Sequence, residues 1–161
     1  MKCFQAVIPI IVTYNPNIEM LRLLLDSLRF FHSVKLVDND SKNVNSLKQL
    51  CFSYDNIQTS YLPLNKGLAE AQNKAVTLIE GDVKNDFILL LDQDSTPIDN
   101  CIDVLCDYAS QLKNEEVKLG VIGPALVDSF LDSRFGFIKN GKRFYKEDAS
   151  NNLFQCDGIN S

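Results

Sequence analysis

The chain contains a single histidine, His32, and its five cysteines, Cys3, Cys51, Cys101, Cys106 and Cys156, include no CxxC pair. This excludes the usual zinc ligand sets and argues against a disulfide framework. The cysteines then read as free, buried thiols of a reducing compartment. His32 has no catalytic partner in view and is expected at a helix end on the surface. Positive charge is in short supply: 16 Lys and Arg against 21 Asp and Glu give a net charge of −5. No global field exists to hold a phosphate backbone, which argues against nucleic acid as a general partner. Long apolar runs are missing as well. The stretch from Ala6 to Val12 is broken by Pro9, too short for a signal h-region and far too short to span a bilayer. The chain shows no internal repeat and no low-complexity linker.

What is present is the composition of an ordinary globular protein, with 45% hydrophobic and 23% charged residues over 161 positions. A chain of this length makes about one domain and buries roughly two thirds of its unfolded surface without staples.

Strand-like and helix-like patterns alternate over the first three quarters, the signature of βαβ units and an α/β class. Val7 to Thr13 reads as a first strand. Ile18, Leu21, Leu25 and Leu28 then follow at helical spacing, with Asn17 as N-cap and an expected end near Phe31. Val34 to Val37 is a short buried strand stopped by Asp38-Asn39-Asp40-Ser41, and Leu47, Leu50 and Cys51 mark a short helix. Ile57 to Leu62 is a third strand. After Asn65-Lys66-Gly67, the spacing of Leu68, Ala71, Ala75 and Leu78 predicts a helix ended by Gly81. Phe87 to Leu91 is continuously apolar, as expected of a central strand covered on both faces. The next helix carries Pro97 in its first turn and Ile98, Ile102, Leu105, Ala109 and Leu112 on one face, and Leu119 to Ile122 is a fifth strand. Near the C-terminus, Phe135–Ile138 and Arg143–Tyr145 flank Asn140-Gly141, a two-residue hairpin signal. A further strand is expected to start at Leu153.

Polar clusters recur where strands end: Thr13-Tyr14-Asn15, Asp38-Asn39-Asp40 and Asp92-Gln93-Asp94. In a parallel sheet the ligand crevice lies beyond these carboxyl ends. Asp92 and Asp94 are the sharpest feature. Two carboxylates held one residue apart by a stiff apolar strand repel each other unless a cation sits between them, and hard divalent ions take such oxygens. Mg2+ or Mn2+ bound there would also offset the charge of a diphosphate in an acidic protein. The same residues also read as an ordinary helix start, with Ser95 or Thr96 capping before Pro97.

Four segments, VTYNPN (Val12 to Asn17), LVDNDS (Leu36 to Ser41), NKGLAEAQN (Asn65 to Asn73) and LLLDQDS (Leu89 to Ser95), occur in the order and spacing of one family. Over roughly residues 7–128 the chain resembles the nucleotide-binding half of family 2 glycosyltransferases of the GT-A fold. The nearest branch is similar to the rhamnosyltransferases that build bacterial surface polysaccharide. The resemblance implies a Rossmann-like, mostly parallel sheet flanked by helices, to which the Asn140-Gly141 signal adds a short antiparallel hairpin near the C-terminus. It implies a dTDP- or UDP-sugar donor, a glycan or lipid-linked acceptor, and a metal-assisted inverting displacement.

On the same basis Thr13, Tyr14 and Asn15 would line the nucleoside pocket, and Asp38 would accept a hydrogen bond from the N3–H of uracil or thymine. Asn65 and Gly67 would lie close to the nucleotide. Asp92 would contact the ribose or a metal-bound water, and Asp94 would ligate the metal directly. The resemblance departs at Gln72, where many members carry an arginine, and Lys66 or Lys74 is left to compensate. Residues 1–161 are expected to form one nucleotide-sugar-binding domain that lacks the acceptor portion, with the catalytic base beyond Ser161 and weak transfer by these residues alone. Work in the cytoplasm, at the inner face of the membrane for the longer protein, and self-association through the uncovered surface complete the expectation.

Two other readings stand beside it. One is a truncated domain that binds nucleotide without catalysis or serves as an interaction module. The other is a haloacid-dehalogenase-like phosphatase, because LLLDQDST fits an Asp-x-Asp-x-Thr motif. That motif ordinarily ends the first strand of its domain, whereas here several strand and helix units precede it.

Overall fold

The computed structural model describes residues 7–79, 87–95, 100–124, 127–128, 133–134, 137–139, 142–144 and 158–159. The chain divides into two compact units, Met1–Ile98 and Asp99–Ser161.

The first unit is a four-stranded parallel sheet with helices between its strands. Strands β1 (Val7–Thr13), β2 (Val34–Asp38), β3 (Ile57–Tyr61) and β4 (Phe87–Asp92) alternate with helices α1 (Ile18–Ser27), α2 (Val44–Cys51) and α3 (Leu68–Thr77). The strand order is β3-β2-β1-β4, with every neighbouring pair parallel. This is the mostly parallel α/β sheet expected from the alternating pattern. The chain adds β2 and β3 on one side of β1 and then returns across the sheet to place β4 on the other. With right-handed crossovers, that reversal puts α3 on the face opposite α1 and α2.

Helix α3 accordingly packs through Ala71 and Ala75 on Ile10 and Val37, with Val12, Leu62, Leu78 and Ile79 around them. Two alanines in the contact let the helix lie close to the sheet. The other face carries Ile11, Val34 and Leu36, each inaccessible to solvent.

Local signals account for most boundaries. The Asn17 side chain accepts hydrogen bonds from the N–H groups of Glu19 and Met20, satisfying two of the donors that a helix start leaves open. Gly67 precedes α3 with φ +83° and ψ 167°, a region that side-chain-bearing residues scarcely enter. Helix α1 ends at Ser27, earlier than the expected Phe31, and the chain turns over Leu28–Phe31, with the N–H of Phe31 donating to the carbonyl of Leu28. Leu28 and Phe31 are nevertheless buried, so their helical spacing reflects burial rather than continued helix.

Three expectations are corrected. Among the described residues, strand β4 pairs with β1 alone, and its residues alternate between half-buried and exposed, with Ile88 45% and Leu90 56% accessible. An unbroken apolar run does not by itself say on how many sides a strand is covered. The predicted strand Leu119–Ile122 does not form, and residues 117–124 have no regular structure. Finally, Cys106 is disulfide-bonded, whereas Cys51 and Cys101 are free. Residue counts and spacing cannot show which thiols meet in space.

In the second unit, helix α4 (Cys101–Asn114) is followed by short strands β5 (Val127–Asp128), β6 (Ser133–Arg134), β7 (Phe137–Lys139), β8 (Lys142–Phe144) and β9 (Gly158–Ile159). β7 and β8 are antiparallel with Lys139 opposite Lys142, so the two-residue connection falls where Asn140-Gly141 predicted it. β9 pairs with β7. The expected positions Gly81, Pro97, Ile98 and Leu153 lie outside the described residues.

Candidate functional site

The strand order reverses between β1 and β4, and a parallel sheet opens a crevice at such a reversal, beyond the carboxyl ends of its strands. Thr13, Tyr14 and Asn15 leave β1 at this edge. Asp38 ends β2, Asn65 and Gly67 follow β3, and Asp92 and Asp94 lie at and beyond the end of β4. All the residues singled out in the sequence therefore gather along one edge of one sheet, although up to 81 positions separate them (94 − 13).

Hydrogen bonds join these loops into a chain that runs along the edge. The Thr13 hydroxyl donates to Asp38 Oδ1 at 2.9 Å. Ser41 donates its hydroxyl to the same oxygen and its N–H to Asp38 Oδ2 at 3.0 Å. Ser41 Oγ also accepts the Asn15 N–H at 2.8 Å, and Asn15 Oδ1 accepts the N–H of Lys42 at 2.8 Å. Asn15 and Asp40 both have left-handed backbone, with φ 48° and 70°. Such conformations cost energy unless surrounding bonds hold them, and they recur at functional sites.

On the β3 side, Asn39 Nδ2 donates to Asn65 Oδ1 at 3.1 Å, and Asn39 Oδ1 accepts the Lys66 N–H at 2.9 Å. Asn65 Oδ1 accepts the Gly67 N–H as well, which fixes the turn into α3. On the β4 side, Gln93 Oε1 accepts the Tyr14 N–H at 2.8 Å, and Gln93 Nε2 donates to the Tyr14 carbonyl at 3.3 Å.

The two kinds of acid at this edge differ in what they can do. Asp38 is 1% exposed, and its carboxylate accepts three hydrogen bonds from within the protein. To accept another from a ligand ring directly, it would have to give up part of that set or use its one remaining lone pair. Asp92 and Asp94 are exposed, and neither side chain has a hydrogen-bond or ion-pair partner among the described residues. Their oxygens are free to meet a cation.

No group of three or more His, Cys, Asp or Glu side chains suited to a metal occurs among the described residues. Two carboxylates fit an ion that draws its remaining ligands from a phosphate group and water, as Mg2+ commonly does. They do not fit an ion caged by protein alone.

Tyr14, the residue after β1, is 48% exposed. Gln72 is partly exposed on α3, and Lys66 and Lys74 are exposed. Beneath the edge, Cys51 is buried. Burial, and after it the charge of Asp38, pushes its thiol up to about 11, so it stays protonated and packs as an apolar group.

Sequence reasoning placed Asn39, Ser41 and Gln93 in the polar clusters at the strand ends but gave none of them a role. A signal existed for Ser41, because an Asp followed three residues later by Ser is a common turn pairing. For Gln93 and Asn39 nothing local pointed to partners 79 and 26 residues away.

No helix among the described residues is long and apolar enough to cross a membrane. A family model described as Glycosyl transferase family 2 matches residues 10–158. No curated protein matches the chain.

Proposed function

The chain belongs to glycosyl transferase family 2, and from that premise we propose that its carboxyl-edge site binds the nucleoside diphosphate portion of a dTDP- or UDP-sugar donor. Rhamnose is the proposed sugar, on the strength of the Asp92-Gln93-Asp94-Ser95 form of the acidic motif, and the proposed acceptor is a glycan or a lipid-linked glycan. For a lipid-linked acceptor the place of work is the inner face of the membrane, where a cytoplasmic donor and the acceptor meet.

The observation that carries this reading is the pair of carboxylates, Asp92 and Asp94, that have no side-chain partner among the described residues and lie at the point where the strand order reverses. Asp94 is the proposed direct ligand of Mg2+ or Mn2+, and Asp92 faces the ribose or a water on the ion. Bound there, the cation supplies positive charge against the departing diphosphate. Tyr14 and Asn15 border the nucleoside, and Thr13 and Asp38 shape that border from beneath through the hydrogen bonds they share. Asn65 and Gly67 form the far wall, where the bare glycine backbone leaves room for a ligand. These residues serve the leaving-group side of an inverting displacement.

Titration calorimetry of residues 1–161 with dTDP, UDP and GDP, with and without Mn2+, tests the reading. The expected result is Mn2+-dependent binding of the pyrimidine diphosphates that Asp94→Ala abolishes. A folded sample that binds none of the three would overturn it.

A further inference from the structure

Gln93 lies between two carboxylates, yet its own side chain is taken up by the backbone of Tyr14. The last paired residues of β1 and β4 are Val12 and Asp92. Past the end of that backbone ladder, one residue beyond Asp92 and two beyond Val12, the Gln93 amide accepts the Tyr14 N–H at 2.8 Å and donates to the Tyr14 carbonyl at 3.3 Å. A primary amide offers one acceptor and one donor group, as a peptide unit does, so it continues the pairing of the two strands past the end of the ladder. Glutamate at this position lacks the donor, lysine lacks the acceptor, and asparagine is one methylene shorter. The clasp also spans the gap between β1 and β4, which is where the strand order reverses and the crevice opens.

We propose that Gln93 is a positioning residue of the donor site, locking the Tyr14 segment to the Asp92–Asp94 turn so that the nucleoside wall and the diphosphate end are held in one geometry. This inference rests on the donor-site reading above and assigns a role that the reading does not require. Without the clasp each loop still carries its own groups, but their spacing has to be found anew when a ligand spanning both arrives. The ordering cost then falls on binding. The loss appears as weaker coupling between cation and nucleotide, since each improves the other's affinity by the same factor.

The test compares the native chain with Gln93→Met, which keeps the length and loses both hydrogen bonds, and with Gln93→Ala. UDP affinity is measured with and without Mn2+, Mn2+ affinity is measured alone, and hydrogen exchange is followed at the Tyr14 amide. In both variants the factor by which Mn2+ tightens UDP is expected to fall about tenfold, the size of one to two lost hydrogen bonds. Mn2+ affinity alone should stay within twofold, and the Tyr14 amide should exchange faster. An unchanged coupling factor in the variants, even with lower stability, overturns the inference and leaves Gln93 a structural role. A native chain that binds no UDP in the presence of Mn2+ overturns the donor-site reading itself, and this inference falls with it.

Discussion

Thr13 and Asp38, 25 residues apart, meet in the interior at the carboxyl ends of β1 and β2, where the threonine hydroxyl donates to the carboxylate at 2.9 Å. Both are almost fully buried. The pair is the point from which the β1 and β2 loops are held, because Ser41 bonds to the same carboxylate and in turn accepts the Asn15 N–H. A buried charge kept in this way is costly to unpair.

Removing the carboxylate should therefore cost more than removing any one of its donors. Asp38→Ala leaves the Thr13 hydroxyl and the hydroxyl and N–H of Ser41 without their acceptor, and is expected to destabilise the chain by about 3 kcal/mol. Thr13→Val removes one charge-assisted bond at nearly constant volume and should cost about 2 kcal/mol. Urea denaturation of the two variants checks both values and their order.

The exposed acids should behave in the opposite way. Among the described residues Asp92 and Asp94 have no side-chain partner to lose, so Asp92→Asn and Asp94→Ala should change folding stability by no more than about 0.5 kcal/mol. Mn2+-dependent nucleotide binding should nonetheless disappear in Asp94→Ala. A variant that is stable and unable to bind separates a ligand role from a structural one, with thermal melts and calorimetry run on the same samples.

Gly67→Ala isolates a backbone effect. An added Cβ would meet nothing within 4 Å, so the penalty comes from the φ of +83° alone and should amount to about 1–3 kcal/mol. If Gly67 also borders the nucleotide, as proposed, the alanine variant should lose UDP affinity beyond what its stability explains. A denaturant titration paired with a binding isotherm resolves the two contributions.

Cys51 predicts an alkaline limit. Its thiol ordinarily titrates at 9.0, and burial together with the Asp38 charge raises it to about 11 in the folded chain. Between these values the unfolded chain has released a proton that the native chain still holds. This contribution to stability is complete below pH 9 and is lost as pH rises toward 11. In Cys51→Ala that part of the slope should vanish from a stability profile taken between pH 8 and 11. The native thiol should also resist iodoacetamide at pH 8, with alkylation mapped by mass spectrometry.

Much of the first unit could be read from local pattern. Strand β1, helix α2 and the N-cap at Asn17 lie where spacing and capping residues put them, because apolar period and cap chemistry act within a few residues. The antiparallel pairing of β7 and β8 lies where Asn140-Gly141 predicted a hairpin, for the same reason. Among the described residues, the reading of Phe87–Leu91 as a doubly covered central strand, and of Leu119–Ile122 as a strand, did not hold. Apolar runs record a need for cover, and what supplies it is not a local property.

The sequence by itself determined the order of strands and helices, the polar clusters at the strand ends and the acidic pair Asp92 and Asp94. These follow from the alternation of apolar periods and from residues that stop a strand. Only the tertiary structure decided that β4 lies beside β1, that Asp38 is consumed by Thr13 and Ser41, and that Gln93 clasps Tyr14. Those facts depend on which strands pair laterally. Hydrogen-bonding groups tens of residues apart find each other only after the sheet has brought them together.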